Sequence, residues 1–197
     1  MKQTTGYYMA QAVSVVFHPL LLPSWLALLF YRGWLLVTLL YTAILPIGLI
    51  VALQKSGHIA SLQLSQRQER NLPYALCLVC YLVFTLRLAH SGQPVFVSFV
   101  MAGVCLTLAA VMTINRSWQV SAHAAGMGGL MGMIIAYMLL KRSMLWPSLL
   151  VVAALSLLVI YARLYLNAHT WQQTVAGWLT GIVMTLFPYC LALCLRS

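Results

Sequence analysis

At 197 residues, 63% of them hydrophobic and only 6% charged, the chain is too poor in charge for a soluble domain, which normally carries about a quarter charged residues. Its formal net charge of +10 comes from eleven Lys and Arg against a single acid, Glu69. One acid excludes magnesium or calcium sites built from several carboxylates, and paired-carboxylate acid–base chemistry, so any catalysis must run on His, Arg, Ser or backbone groups. It also argues against proton transport through an intramembrane Asp or Glu.

Seven apolar segments follow in chain order, at about 8–30, 34–53, 73–89, 94–114, 122–140, 144–166 and 171–195. Each is near the roughly 20 residues that cross about 30 Å of hydrocarbon. The runs are continuous rather than alternating, which excludes a porin-like barrel. The fold expected is therefore all-α, a polytopic transmembrane helical bundle. Tyr7, Tyr8, Tyr31, Trp34, Tyr74, Trp118, Trp146, Tyr165 and Trp171 stand at the segment ends, as an aromatic belt would. The first segment is interrupted by His18-Pro19 and Pro23 and has no A-x-A cleavage site after it, so it reads as a retained span that its prolines kink or break. Cys77, Cys80, Cys105, Cys190 and Cys194 all fall within apolar runs and read as small buried hydrophobes.

The cations are scattered singly or in pairs at the ends of these runs, which does not read as a nucleic-acid surface. Three connections are short, and three are polar: 54–73, 115–123 and 162–173. In any alternating topology the polar three lie on one face, so Arg67, Arg70, Arg116, Ser121, His123, Arg163 and His169 can converge there. The other face carries Arg32, Lys141, Arg142 and Arg196, with Arg87 near it. If the polar-face arginines hold a ligand, only Lys2 and Lys55 remain on that face as topological charges, which places it outside the cytoplasm. The expected setting is a multi-pass protein of the bacterial inner (plasma) membrane with its site toward the periplasm or exterior.

Local chemistry sharpens the convergence. Thr170 and Gln173 have capping-box spacing, with Thr170 at the N-cap and Gln173 three residues on. His169 then precedes a helix N-terminus, where free N–H groups attract anions and a positive potential keeps an imidazole neutral. Arg163 can offer the same place a planar fork suited to phosphate oxygens. Ser121 is a natural N-cap for the fifth segment, with His123 in its first turn. Gly126, Gly128, Gly129 and Gly132 behind it form a small-residue stripe for close helix packing. Arg67 and Arg70 share one face if helical. A lone interfacial histidine reads more readily as a satisfied side chain, but two histidines and three arginines on one face point to a phosphate site. His123 and His169 have no evident third ligand for a metal.

These residues resemble the type 2 phosphatidic acid phosphatase superfamily of integral-membrane lipid phosphatases. The third motif of that family, Ser-Arg, five residues, His, three residues, Asp, is matched by Ala162-Arg163, His169 and Gln173. The second, Pro-Ser-Gly-His, is matched by Val120-Ser121-Ala122-His123. For the first, Lys, six residues, Arg-Pro, Arg70 falls on the arginine, Gln63 on the lysine and Asn71 on the proline, with Pro73 nearby. The resemblance covers roughly residues 60–185 and implies a six-helix phosphatase core, about 34–195, preceded by an extra N-terminal span, 1–33, within one integral-membrane domain. It implies that His169 attacks phosphorus, that His123 protonates the leaving alkoxide, and that Arg67, Arg70, Arg163 and Ser121 hold the phosphoryl oxygens, without metal or cofactor. Arg67 would stand in for the missing lysine. The main departure is Gln173, which orients His169 or caps the helix but lacks the charge of the family Asp. The substrate implied is a membrane lipid phosphate: phosphatidic acid, phosphatidylglycerol phosphate or a polyprenyl pyrophosphate. Rivals on the same scaffold are a lipid phosphotransferase and a non-catalytic phospholipid-binding or transport protein. No nucleic-acid partner is expected, and the oligomeric state is not legible.

Overall fold

A computed structural model describes residues 4–30, 32–62, 64, 67–142 and 144–194, with all side chains among them except those of 29, 30 and 193. Lys2, Tyr31, Gln63 and Arg196 lie outside the described residues. The described residues form eight helices and no strand: α1 (Thr5–Val16), α2 (Leu22–Phe30), α3 (Arg32–Lys55), α4 (Gln68–Ala89), α5 (Val95–Asn115), α6 (Ala122–Lys141), α7 (Trp146–Tyr165) and α8 (Trp171–Cys194). Six of these, α3 to α8, are long and apolar enough to cross a membrane, α8 over Trp171–Ala192. They fit a multi-pass membrane protein. Side chains such as Leu36, Leu150 and Leu157 stand exposed on outer faces, where lipid rather than water is the compatible solvent. Cys77, Cys80 and Cys105 are buried as expected, whereas Cys190 and Cys194 lie exposed near the end of α8, so burial does not hold for all five.

The first apolar segment is not one helix. At 1.5 Å per residue α1 and α2 are about 18 Å and about 14 Å long, so neither crosses a bilayer alone. His18 precedes Pro19, which disfavours helical geometry at His18 and removes an amide donor. The carbonyls this frees are taken locally. Val15 O accepts from the His18 amide at 3.2 Å, and Val16 O accepts from the Trp25 indole at 3.0 Å. Gly6 on α1 lies against the Tyr165 hydroxyl at the end of α7. Leu26 on α2 shares a cluster with Met133, Ile134 and Leu145, toward the opposite end of α6. The pair therefore runs along the bundle, from one end toward the other.

A second proline produces a different distortion. Residues Leu40–Ile44 of α3 form a π turn just ahead of Pro46, which cannot donate to the Thr42 carbonyl one turn back. The Tyr81 hydroxyl donates to that carbonyl instead, at 3.3 Å.

α6 is the centre of the bundle. Half of its most apolar window is buried, against 22–33% in the other five spans. It packs in parallel on α8 through two glycine pairs: a Cβ on Gly128 or Gly132 would overlap the Trp178 or Ile182 carbonyl, and one on Gly177 or Gly181 the Ser121 or Ala125 carbonyl. Small residues four apart let two backbones approach closely in lipid, where dispersion rather than water release drives packing. Gly128 and Gly132 come from the stripe read in the sequence, while their partners Gly177 and Gly181 complete the contact from α8.

Candidate active site

The glycine contact brings the N-termini of α6 and α8 side by side. Ser121, the N-cap of α6, is buried and its Oγ accepts from the Ala124 amide at 3.3 Å. Its own amide donates to the Gln173 carbonyl in the first turn of α8, at 3.1 Å. His123, the second residue of α6, and His169, just ahead of α8, are thus held by two helix ends bonded to each other.

At α8 the capping box is closed in both directions. The Gln173 amide donates to Thr170 Oγ1 at 3.4 Å, and the Thr170 amide donates to Gln173 Oε1 at 3.0 Å. The same Oε1 lies 3.2 Å from His169 Nδ1. Because the Thr170 N–H identifies that atom as the oxygen, Nδ1 is the protonated nitrogen of His169 and Nε2 keeps its lone pair. Gln173 therefore caps the helix and orients the imidazole with one atom. Burial, then the Arg163 and Arg70 guanidiniums, push the His169 pKa down from 6.5 to about 4, against a smaller upward effect of the Gln173 bond. The ring is neutral at pH 7.

His169 opens onto a cavity of about 470 Å³, within the size range of small-molecule sites. His18, Arg70, Tyr74, His123 and Arg163 line the same end of it. Beyond them the wall turns apolar through Leu21, Val104, Leu108, Leu130 and Met133, toward the interior of the bundle. The cavity thus has one polar, cationic end and one apolar arm.

The two arginines differ in how they are held. Arg70 Nε donates to the Leu64 carbonyl at 2.8 Å, and Gln119 turns its amide oxygen to Nη1 and Nη2 at 3.1 Å each. Arg163 Nη1 donates to Ser14 Oγ at 3.3 Å, but its Nε is buried with no partner among the described residues. An unmet buried donor on a cation costs more than the ~1–3 kcal/mol of a neutral one, and an anion in the cavity would relieve it. Among the described residues no carboxylate neutralises this end: Glu69 accepts from the Ala60 amide at 3.3 Å. Among the described residues no three His, Cys, Asp or Glu side chains cluster as a metal site requires.

Of the residues singled out in the sequence, His123, His169, Arg70 and Arg163 meet in this cavity. Arg67 and Ser121 do not line it. Arg67 Nη1 donates to the Ser117 carbonyl and the Arg67 carbonyl accepts from Asn115 Nδ2 at 3.0 Å, which fastens the long loop to the end of α5. Arg116 stays outside as well. Sequence reasoning missed Ser14, Tyr74, Gln119 and His18. For His18 a signal existed, an ionisable side chain beside a helix breaker inside an apolar run. Its ring packs edge-on against His123, with centroids 5.1 Å apart and planes at 86°. Comparisons with protein-family models, with curated proteins and with solved structures find no match for this chain.

Proposed function

We propose that the chain is an integral-membrane lipid-phosphate phosphatase, a divergent relative of the type 2 phosphatidic acid phosphatases, acting by a metal-independent phosphohistidine route. One observation carries the reading: His169, its Nδ1 fixed by Gln173 and its Nε2 bare, shares a cavity with a buried Arg163 nitrogen that lacks a partner. In the proposed reaction His169 Nε2 bonds to phosphorus as the P–O bond to the lipid breaks. The electron pair leaves with the lipid oxygen, which takes a proton from a water molecule, and the hydroxide so formed displaces hydrogen phosphate from the histidine. Arg70 and Arg163 stabilise the charge that builds on the phosphoryl oxygens. The apolar arm of the cavity would take the lipid chain. Phosphatidic acid, phosphatidylglycerol phosphate and polyprenyl pyrophosphate share this chemistry.

Within the same proposal, α1 and α2 cross the bilayer as one broken span. That makes seven crossings, with the N-terminus and the site on the extracytoplasmic face of a bacterial plasma membrane. Non-helical backbone is tolerated at that depth because it lines a cavity.

The test is phosphate release in detergent with EDTA present, from a panel of lipid monophosphates and pyrophosphates. The expected result is release that survives EDTA and falls by about 10⁶ in His169→Ala, the order lost when a catalytic nucleophile is removed. Product analysis with acceptor lipids would expose phosphoryl transfer instead of hydrolysis. One geometric fact favours a second reading, a non-catalytic phospholipid-binding protein: His123 Nε2 is held by the Ser14 carbonyl at 3.0 Å and not turned to a leaving group. Lipid binding with no turnover by the wild type would select it.

A further inference from the structure

Three imidazoles face one cavity, and their hydrogen bonds sort them into three different states. His169 has Nδ1–H on Gln173 and a bare Nε2. His123 lies 3.0 Å from the Ser14 carbonyl through Nε2, so that nitrogen carries the proton and already has its acceptor. His18 is the reverse of His169. Its Nδ1 accepts from the Leu20 amide at 3.3 Å, which leaves the proton on Nε2. No acceptor for that Nε2–H exists among the described residues. Protonating the ring would break the Leu20 bond, so the break between α1 and α2 holds His18 neutral, as a donor.

We propose that His18 is a phosphate-contacting residue of this site, donating its Nε2–H as a neutral imidazole to a phosphoryl oxygen, so that the broken helix α1–α2 forms one wall of the anion pocket. The assignment rests on the phosphate reading of the cavity. It requires no proton transfer: the ring stays neutral and only a hydrogen bond forms. It also depends on the break that Pro19 makes. A continuous helix through residues 17–21 would bond the Leu20 amide within the helix and remove the contact that sets the tautomer of His18. Arg163 supplies charge from α7 and the α8 end supplies His169, while His18 reaches the same anion from the break between α1 and α2.

The experiment compares wild type, His18→Phe and His18→Gln in detergent. Phe keeps a planar ring but has no donor, whereas Gln restores an N–H near the position of Nε2. Two readouts are taken on each: inorganic phosphate binding by titration calorimetry, and turnover of phosphatidic acid. Thermal unfolding of each variant reports folding. The expected result is phosphate binding lost in His18→Phe and recovered in His18→Gln, with turnover falling on the order of 10²-fold in Phe and partly restored in Gln, as for removal of one oxyanion donor. Unchanged binding in His18→Phe overturns the assignment. So does a folded His18→Gln no better than Phe, because shape and not the donor would then matter. Binding that depends on His18 without turnover by the wild type would sustain the contact and sink the phosphatase reading. No phosphate binding by the wild type sinks both.

Discussion

Two pairs of helices deliver histidines to this cavity, and they do so in opposite ways. α6 and α8 are continuous, pressed together at four glycines and joined end to end by the Ser121–Gln173 backbone bond. Their histidines stand at capped N-termini, where each ring's position follows from a rigid helix. α1 and α2 meet at a failure of helix, and His18 stands in that failure. From there the chain reaches His123, 109 residues on from Ser14, with a backbone carbonyl, and Arg163 with a hydroxyl. On the proposed phosphatase reading, the rigid pair fixes where a phosphorus atom would sit. The broken pair closes the pocket around it and sets which nitrogens of His18 and His123 carry protons.

The largest effect should come from forcing the rigid pair apart. Gly128→Ala places a Cβ on the Trp178 carbonyl, and backbone cannot turn aside as a side chain can. A destabilisation of about 1–3 kcal/mol is expected from overpacking, together with loss of phosphate release as the two helix ends separate. Gly48→Ala on α3 is the contrast: nothing lies within 4 Å of its Cβ, so a helix interior gains about 0.5–1 kcal/mol and the site is untouched. Thermal unfolding of both variants in detergent, beside activity, checks the pair. Equal behaviour would mean that the glycine contact does not position the histidines.

The rigid pair was also the readable one, for physical reasons. A span announces itself by some 20 consecutive apolar residues, so the expected segments at 122–140 and 171–195 reappear as Ala122–Lys141 and Trp171–Cys194. The Ser121 cap and the Thr170–Gln173 box involve residues three apart, and such chemistry is local enough to see in a string of letters. Arg67 shows the limit of that. It stands on one tight helical turn with Arg70, whose amide donates to the Arg67 carbonyl at 3.3 Å, yet the two side chains diverge to Ser117 and Gln119. His18 was readable as an oddity and not as a partner of His123, because that contact depends on how α1 lies along α7. Gly177 and Gly181 matter only once α8 is known to be the neighbour of α6. A double role for Gln173 could not be chosen from spacing, since cap and orienter need the same residue at the same place.

That double role gives the next prediction, intermediate in size. Gln173→Ala removes both bonds to Oε1 and should lower turnover by about 10- to 100-fold, the usual cost of losing an orienting partner and less than the ~10⁴ of a lost carboxylate. Gln173→Glu keeps the length and adds the charge. Turnover should rise, and the pH profile should shift. His169 must be neutral to attack, and burial with two arginines has lowered its pKa to about 4. In the wild type the acid limb of kcat/KM should therefore lie near pH 4 rather than 6.5. A glutamate beside Nδ1 favours the imidazolium, so its acid limb should move upward from that value. The same sign governs stability: unfolded His169 takes a proton near 6.5 and folded His169 only near 4, so stability falls as pH drops through that window. A limb that does not move in Gln173→Glu would show that the titrating group is not His169.

The smallest effect tests the broken pair alone. Ser14→Ala deletes the hydroxyl that accepts from Arg163 Nη1 at 3.3 Å but leaves the backbone carbonyl that holds His123. Losing one hydrogen bond to a charged group is worth about 1.5–3 kcal/mol at most, and water entering the polar end of the cavity would offset part of it. A drop of less than about tenfold in kcat/KM is expected, mostly in KM, because Arg163 keeps its charge and loses only its bearing. A fall in kcat as large as that of His18→Phe would mean that α1 positions the guanidinium in the transition state. The broken helix would then hold the rigid pair's chemistry in place as well as lining its pocket.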